Sequence, residues 1–261
     1  MPTRAERDVP LRQDEAFVLR THPLGESDRI VSFLTRSSGK VRGVAKGARR
    51  SRRRFGSSLE LLSRVKLSYF EHERSDLTRI DGADLQESFY RLQEDPERGA
   101  VMACLAEVAD TFAREQQEDE ALFRLLHATL RALRDHLPLD VALRYFEIWT
   151  LRLHGVLPSL THCAGCGDRL AAGGGRYDRR ESVVCCAKCR AERAPGDVEL
   201  PPAALSLVGE MMGRAPGDLL GRPVAQEALR PLEALAQALF FDLTERRFKS
   251  YGVLRQIRSR S

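Results

Sequence analysis

AFVLRTHPLGESDRIVSFLTRSSGKVRGVAKGARRSRRRFGSSLE, residues 16–60, decides the fold. Short β-like runs alternate in it with turn residues, and some of the runs show a period of two. AFVLR (16–20) reads as a strand and HPLGESD as the turn that ends it. RIVSFLT (29–35) places Val31, Phe33 and Thr35 on one face, with Ile30 and Leu34 less regular. SSG then turns the chain into KVRGVAK (40–46), where Val41 and Gly43 alternate with Lys40, Arg42 and Val44. Working outward, LLSRVKLSYF (61–70) sets Leu61, Val65 and Leu67 against Arg64 and Lys66, and 77–80 makes a fifth run. Five short strands in about 80 residues suit a small barrel or sandwich, and the count fits a five-stranded oligonucleotide-binding (OB) barrel.

On either side of these strands the texture differs. The first 13 residues are polar and read as loose. After Asp81 and Gly82 helical patterns take over, at about 84–94, 97–115, 119–136 and 139–154. Asp95-Pro96 and Leu137-Pro138 separate them, because proline cannot continue a helix. VALRYFEIWTLRLHG (141–155) carries Val141, Tyr145, Ile148, Trp149 and Leu153 on one stripe and Leu143, Phe146 and Leu151 elsewhere. Being apolar nearly all round, it reads as the central buried helix, with Gly155 at its end. Residues 160–196 form an insert rich in Cys and Gly, and two further helices are expected at about 201–214 and 224–245. The expected fold class is therefore α+β. A basic β-domain at 1–81 precedes a helical domain at 82–261, into which a four-cysteine zinc finger is inserted at about 160–196.

At 261 residues, with 43% hydrophobic and 30% charged side chains, the chain can bury a core of its own. No apolar run approaches the roughly 18 residues that cross a bilayer, so no membrane partner is expected. The opening MPTRAERDVPLRQDE lacks the apolar segment of a secretory signal, which argues for a cytoplasmic, nucleoid-associated protein with reduced cysteines. The net charge of +5 is unevenly shared. Residues 1–80 hold 18 Lys and Arg against 10 Asp and Glu, a balance of +8, and the rest carry −3. A one-sign field of this kind favours a polyanion as partner.

The densest cations are KGARRSRRR (46–54), six in nine residues, following a strand that already carries Lys40 and Arg42. Mutual repulsion makes such a run costly unless an anion offsets it. Phosphates do so well, since arginine forks onto their oxygens and bound phosphates release counterions. A solvated loop or a localisation tract is the plain alternative. The run holds no base-reading code, so contact with nucleic acid would be largely sequence-independent. Of the nearby aromatics, Phe17 and Phe33 suit strand cores, and Phe55 is the one candidate for stacking on bases.

Cys163-x2-Cys166 and Cys186-x2-Cys189, with 19 residues between the pairs, have the spacing of a tetrahedral zinc site. A two-residue gap lets one tight turn present two thiolates to the same ion. Gly165 and Gly167 suit that turn, and Gly173, Gly174 and Gly175 the far tip. Four thiolates leave no open position for a catalytic water, so one zinc ion here would be structural. Cys185 could replace Cys186 through a three-residue gap, and His162 is a spare donor; Cys104, amid Ala and Val, reads as a small buried residue.

No G-x-x-x-x-G-K-[ST] or G-x-G-x-x-G cradles a nucleotide, the six histidines are scattered, and the acids lack nuclease-like spacing. These observations argue against an enzyme. The basic residues Arg246, Arg247 and Lys249 suit a helix C-terminus. Rival classes are a zinc-containing transcriptional regulator, which would place its cations on a recognition helix, a nuclease, and a protein-interaction module docking through the helical body.

The stretch at 16–60, above all LGESDRIVSFLT and GVAKGARR, resembles the opening of the bacterial RecO family of recombination mediators. YFEIWTLRLHGVLPSLTHCAGCG (145–167) resembles its buried helix leading into the first cysteine pair, and KSYGVLRQI (249–257) its close. The resemblance spans almost the whole chain. It implies an N-terminal OB-fold, a helical C-terminal domain and a zinc finger. It also implies binding of single- and double-stranded DNA, annealing of complementary strands, and action with RecR in loading RecA onto strands covered by single-strand-binding protein (SSB). Carried onto this sequence, the DNA-contacting candidates are Lys40, Arg42, Lys46, Arg49, Arg50, Arg52, Arg53 and Arg54, and the zinc candidates are Cys163, Cys166, Cys186 and Cys189.

Overall fold

A computed structural model of the chain describes residues 10–50, 54–70, 77–189 and 194–260. The chain forms two compact units. One holds the chain up to Arg124 and again from Ser250 onward, and the other holds Leu125–Lys249.

The first unit is built on a closed five-stranded barrel. Strands β1 (Leu11–Leu24), β2 (Asp28–Thr35), β3 (Gly39–Ala45), β4 (Arg64–Phe70) and β5 (Thr78–Glu87) close in the order β1-β2-β3-β5-β4. All neighbours are antiparallel except β3 and β5, which run parallel from Gly43↔Thr78 to Ala45↔Ile80. The alternation of the sequence becomes the wall of the barrel. Val31, Phe33, Val41, Ala45, Val65, Leu67, Tyr69 and Ile80 fill the interior, while Lys40 and Arg42 point outward from β3. At the parallel joint a side chain has no room. A Cβ on Gly43 would stand 2.5 Å from Ile80 Cδ1.

The strand from 11 to 24 is longer than the apolar run that announced it, and it bears a bulge between Val18 and Arg20. Val18 still faces Phe33 on β2, and on its other edge, just past the pairing with β4, it meets the 62–63 turn, donating its N–H to Ser63 O (3.1 Å) and accepting from Leu62 N–H (2.7 Å). The expected strand at 61–70 accordingly starts only at Arg64, because Leu62 is held in the left-handed region at φ 59°. Phe17 and Leu19 are buried too. Phe17 meets Phe123 at 4.9 Å between ring centres, with Phe123 on helix α2 (Glu120–Arg134).

Two expectations change here. The helix expected at 84–94 is instead the end of β5, followed by one 3-10 turn at Tyr90–Glu94. Closing the barrel requires β4 to have a second neighbour, and the pairs Leu67↔Ala83, Val65↔Leu85 and Arg64↔Glu87 supply it, so tertiary pairing overrides the local helical tendency. Phe55 does not offer its face to bases. It is 2% exposed and belongs to the barrel core. The ring is part of the packed interior, and Arg54, its neighbour in sequence, lies over it.

After the barrel comes α1 (Pro96–Phe112), whose first turn is capped by Asp95 accepting from Arg98 N–H, with proline at its start. Cys104 is fully buried on it. No helix is expected from sequence beyond residue 245, yet Lys249–Arg258 is one, α6. Ser250 donates both its N–H (2.8 Å) and its hydroxyl (2.5 Å) to Glu107 on α1, and Arg258 pairs with Glu97 at 2.8 Å. Gly252 within the segment masks its helical character in sequence.

The second unit centres on α3 (Leu139–Leu153), buried nearly all round as its sequence requires. Arg144 lies inside it, 2.6 Å from Glu147 and 3.2 Å from Glu233 on α5 (Gln226–Thr244). Trp149 Nε1 donates to Met211 O at 2.9 Å, tying α3 to α4 (Pro202–Gly213). Gly155, at φ 70°, ends α3. The insert folds as a three-stranded sheet in the order β7-β6-β8, from β6 (Gly175–Asp178), β7 (Val183–Cys185) and β8 (Val198–Leu200). Phe55→Ala should destabilise the barrel by about 3–5 kcal/mol, measured by urea unfolding, whereas Phe55→Leu should keep most of that stability and all of the DNA retention. Loss of DNA retention in a stably folded Phe55→Leu protein would contradict the buried role of the ring.

Candidate nucleic-acid interface and metal centre

The cations expected at 40–54 separate into two groups. On the outer face of β3, Lys40 Nζ donates to Asp110 O at 2.7 Å and its side chain is only 18% exposed. Arg42 lies 3.7 Å from Glu115, half-exposed. Both are engaged within their own unit.

The second group emerges where β3 ends. Gly47 adopts φ 68°, a left-handed turn that glycine enters without strain, and its N–H donates to Asp28 Oδ1 at 2.8 Å. Arg49 donates its backbone N–H to Ser27 O (3.0 Å) and a guanidinium N–H to Gly25 O (3.5 Å). Arg50 reaches Glu26 at 3.8 Å with both side chains largely in solvent. Arg54 folds back, donating to Lys46 O at 2.6 Å, and lies over the Phe55 ring at 5.2 Å. Lys46, Arg49, Arg50 and Arg54 thus form one exposed basic group at one end of the barrel. Arg52 and Arg53 lie outside the described residues. The turn at 25–28, which seats this group, was absent from the expected site. In sequence its residues read only as a link between strands.

The second constellation is in the insert. The sulfurs of Cys163, Cys166, Cys186 and Cys189 all lie within 4.8 Å of one another. Cys166 and Cys186 are 3.8 Å apart; a tetrahedron with Zn–S bonds of about 2.3 Å has an edge of about 3.8 Å. Cys163 Sγ accepts N–H groups from Cys186 (3.2 Å) and Gly165 (3.4 Å), as a thiolate does. A Cβ on Gly165 would come 2.9 Å from Cys189 Cβ, so the turn between the first two cysteines needs glycine. Backbone N–H groups, that of Cys186 foremost and then that of Cys166, pull the Cys163 thiol down to about 6. Crowding against the other sulfurs, Cys166 first, pushes the Cys189 thiol up to about 12. Four sulfurs this close can all ionise only around a cation, which is the demand a divalent metal meets. The donor set and spacing fit zinc. Of the two neighbours, Cys186 joins the cluster, while Cys185 ends β7 opposite Arg176. His162 bonds Thr161 Oγ1 and is not among the four.

The family model described as "Recombination protein O N terminal" matches residues 11–89, and "Recombination protein O C terminal" matches 93–252. The chain belongs to the RecO family. Among its relatives, the DNA repair protein RecO of Koribacter versatilis is 38% identical over 206 residues, 79% of this chain and 82% of that one. That of Anaeromyxobacter sp. (strain K) is 38% identical over 239 residues, covering 88% and 92%. The Nocardioides sp. relative is 37% identical over 246 residues, covering 92% and 97%. RecO membership makes this a DNA repair and recombination protein, with the barrel and the cysteine cluster its two built features. Among the described residues, no helix is long and apolar enough to cross a membrane.

The two groups of cations should respond differently to truncation. Lys40→Ala should cost about 1–3 kcal/mol of unfolding free energy, because it removes a charge-assisted bond to the Asp110 carbonyl. Arg50→Ala should stay within about 0.5 kcal/mol. Equal effects in urea titrations would contradict the division.

Proposed function

We propose that this protein is a non-catalytic recombination mediator. It holds single- and double-stranded DNA on the basic end of its barrel, anneals complementary strands without ATP, and acts with RecR in loading recombinase onto SSB-covered strands. It works in the cytoplasm, at the nucleoid. The observation that carries the reading is the exposed group of Lys46, Arg49, Arg50 and Arg54, mounted on a small closed barrel in a chain of the RecO family. Relatives named DNA repair protein RecO support the repair setting.

The mechanism follows from charge. Two strands approach only if their phosphates are screened, and a cationic surface does this while leaving base edges free to pair. Guanidinium contacts to phosphate carry no sequence information, so any sequence is accepted. No nucleotide is needed, in keeping with a chain that lacks a phosphate-cradling glycine loop. Cys163, Cys166, Cys186 and Cys189 hold one structural zinc ion. When bound, the ion neutralises the thiolates and cross-links the two turns of the insert.

Reversing Arg49, Arg50, Arg52 and Arg53 to Glu should abolish DNA retention and nucleotide-free annealing of complementary oligonucleotides, with and without SSB, while thermal unfolding stays as in the parent. Log affinity of the parent should fall with log salt by about 0.7 per phosphate contacted on single strands. A flat salt response, or annealing untouched by the reversal, would refute the placement. Metal analysis should find about one zinc per chain, and chelation should lower the stability of the second unit. Freshly purified protein without zinc would remove the metal assignment.

A further inference from the structure

The turn at 25–28 contains two carboxylates that do different things. Glu26 is 94% exposed and meets Arg50 only at 3.8 Å, a pair too open to hold either side chain. Asp28 is turned to the backbone: one oxygen, Oδ1, accepts both the Gly47 N–H and the Ser27 hydroxyl, each at 2.8 Å. Those bonds act at the residue where the chain leaves β3 in a left-handed turn. Beyond it, Arg49 is tied to the same turn at Ser27 O and Gly25 O.

We propose that Asp28 is a positioning residue of the nucleic-acid interface, fixing through the Gly47 amide the direction in which the cations at 46–50 leave the barrel, whereas Glu26 is only a loose counter-charge. The inference rests on the assignment of DNA contact to 46–54 and deepens it. The Asp28 carboxyl is held below the usual carboxylate range, first by the Gly47 N–H and then by the Ser27 hydroxyl, so the ionised form is the one that makes these bonds. An anion beside a phosphate site ordinarily weakens binding, and removing one tightens it. For Asp28 the geometry reverses that sign. Without its acceptor the Gly47 amide turns to water, the run loses its seat, and guanidinium groups that met phosphates together must be ordered at binding, at an entropic cost.

The test is binding of a labelled single-stranded oligonucleotide to the full-length protein across a salt titration. Asp28→Ala should weaken binding about three- to tenfold and reduce the salt slope by about one phosphate. Asp28→Asn, which keeps an oxygen acceptor for the Gly47 N–H, should rescue that loss. Gly47→Ala changes no charge but strains the turn, and it should weaken binding as Asp28→Ala does. Should Asp28→Ala fail to fold, Gly47→Ala carries the test. Glu26→Gln should tighten binding, by up to about twofold. Tightening by Asp28→Ala equal to that of Glu26→Gln would mean that net charge alone matters and would overturn the proposal, as would parent-like binding by Gly47→Ala. The double reversal Arg49→Glu with Arg50→Glu separates the two levels. Unchanged binding there defeats the interface itself, whereas lost binding there with no loss in Asp28→Ala and Gly47→Ala defeats only the role of Asp28.

Discussion

Repulsion between like charges is the constraint on which the N-terminal unit depends. Six cations in nine residues push one another apart, and a chain free to move would spread them through solvent. The barrel limits that freedom at both ends of the run. Gly47 is pinned to Asp28 on one side, and Phe55 is sunk in the core on the other. Lys46, Arg49, Arg50 and Arg54 are therefore kept at one end of the barrel, where, in the function proposed above, a polymer of phosphates would meet several cations at once. The same packing explains the other features of the unit. Val18 of β1 binds the 62–63 turn that follows Phe55, and Gly43 lets β5 come close enough to close the barrel.

The insert in the second unit answers a different constraint. Residues 160–196 offer little apolar surface, and a three-stranded sheet of three- and four-residue strands buries too little to stand on its own account. Sulfur atoms brought together by two tight turns replace the missing core, provided that a cation holds them. The helical body needs no such device, because α3 is apolar on almost every face and even its buried arginine is met by two carboxylates.

Much of this was legible in the residues. Short β-like runs between turn residues located the five strands of the barrel, proline and glycine marked the helix ends from Pro96 to Gly155, and the cysteine spacing named the four sulfurs that come together. What escaped was non-local. Residues 84–87 look helical in isolation and become strand because they give Arg64, Val65 and Lys66 of β4 their second neighbour. Phe55 follows an arginine run and looked exposed; its burial depends on a barrel interior that no local pattern describes. Glycine at 252 hid α6, whose helical form is tied to Glu107 and Glu97, both more than 140 residues away in sequence. At the basic run, spacing revealed the charges but not the turn at 25–28 that seats them, nor that Lys40 is spent on a carbonyl of α1.

Amide hydrogen exchange of the full chain, with and without a single-stranded oligonucleotide, tests the central claim most directly. If the barrel presents these cations to phosphate, protection should concentrate at 25–28 and 46–54 and fade as salt is raised. Protection confined to the cysteine insert or to the helices of the second unit, with the basic run exchanging as it does in the free protein, would contradict the account.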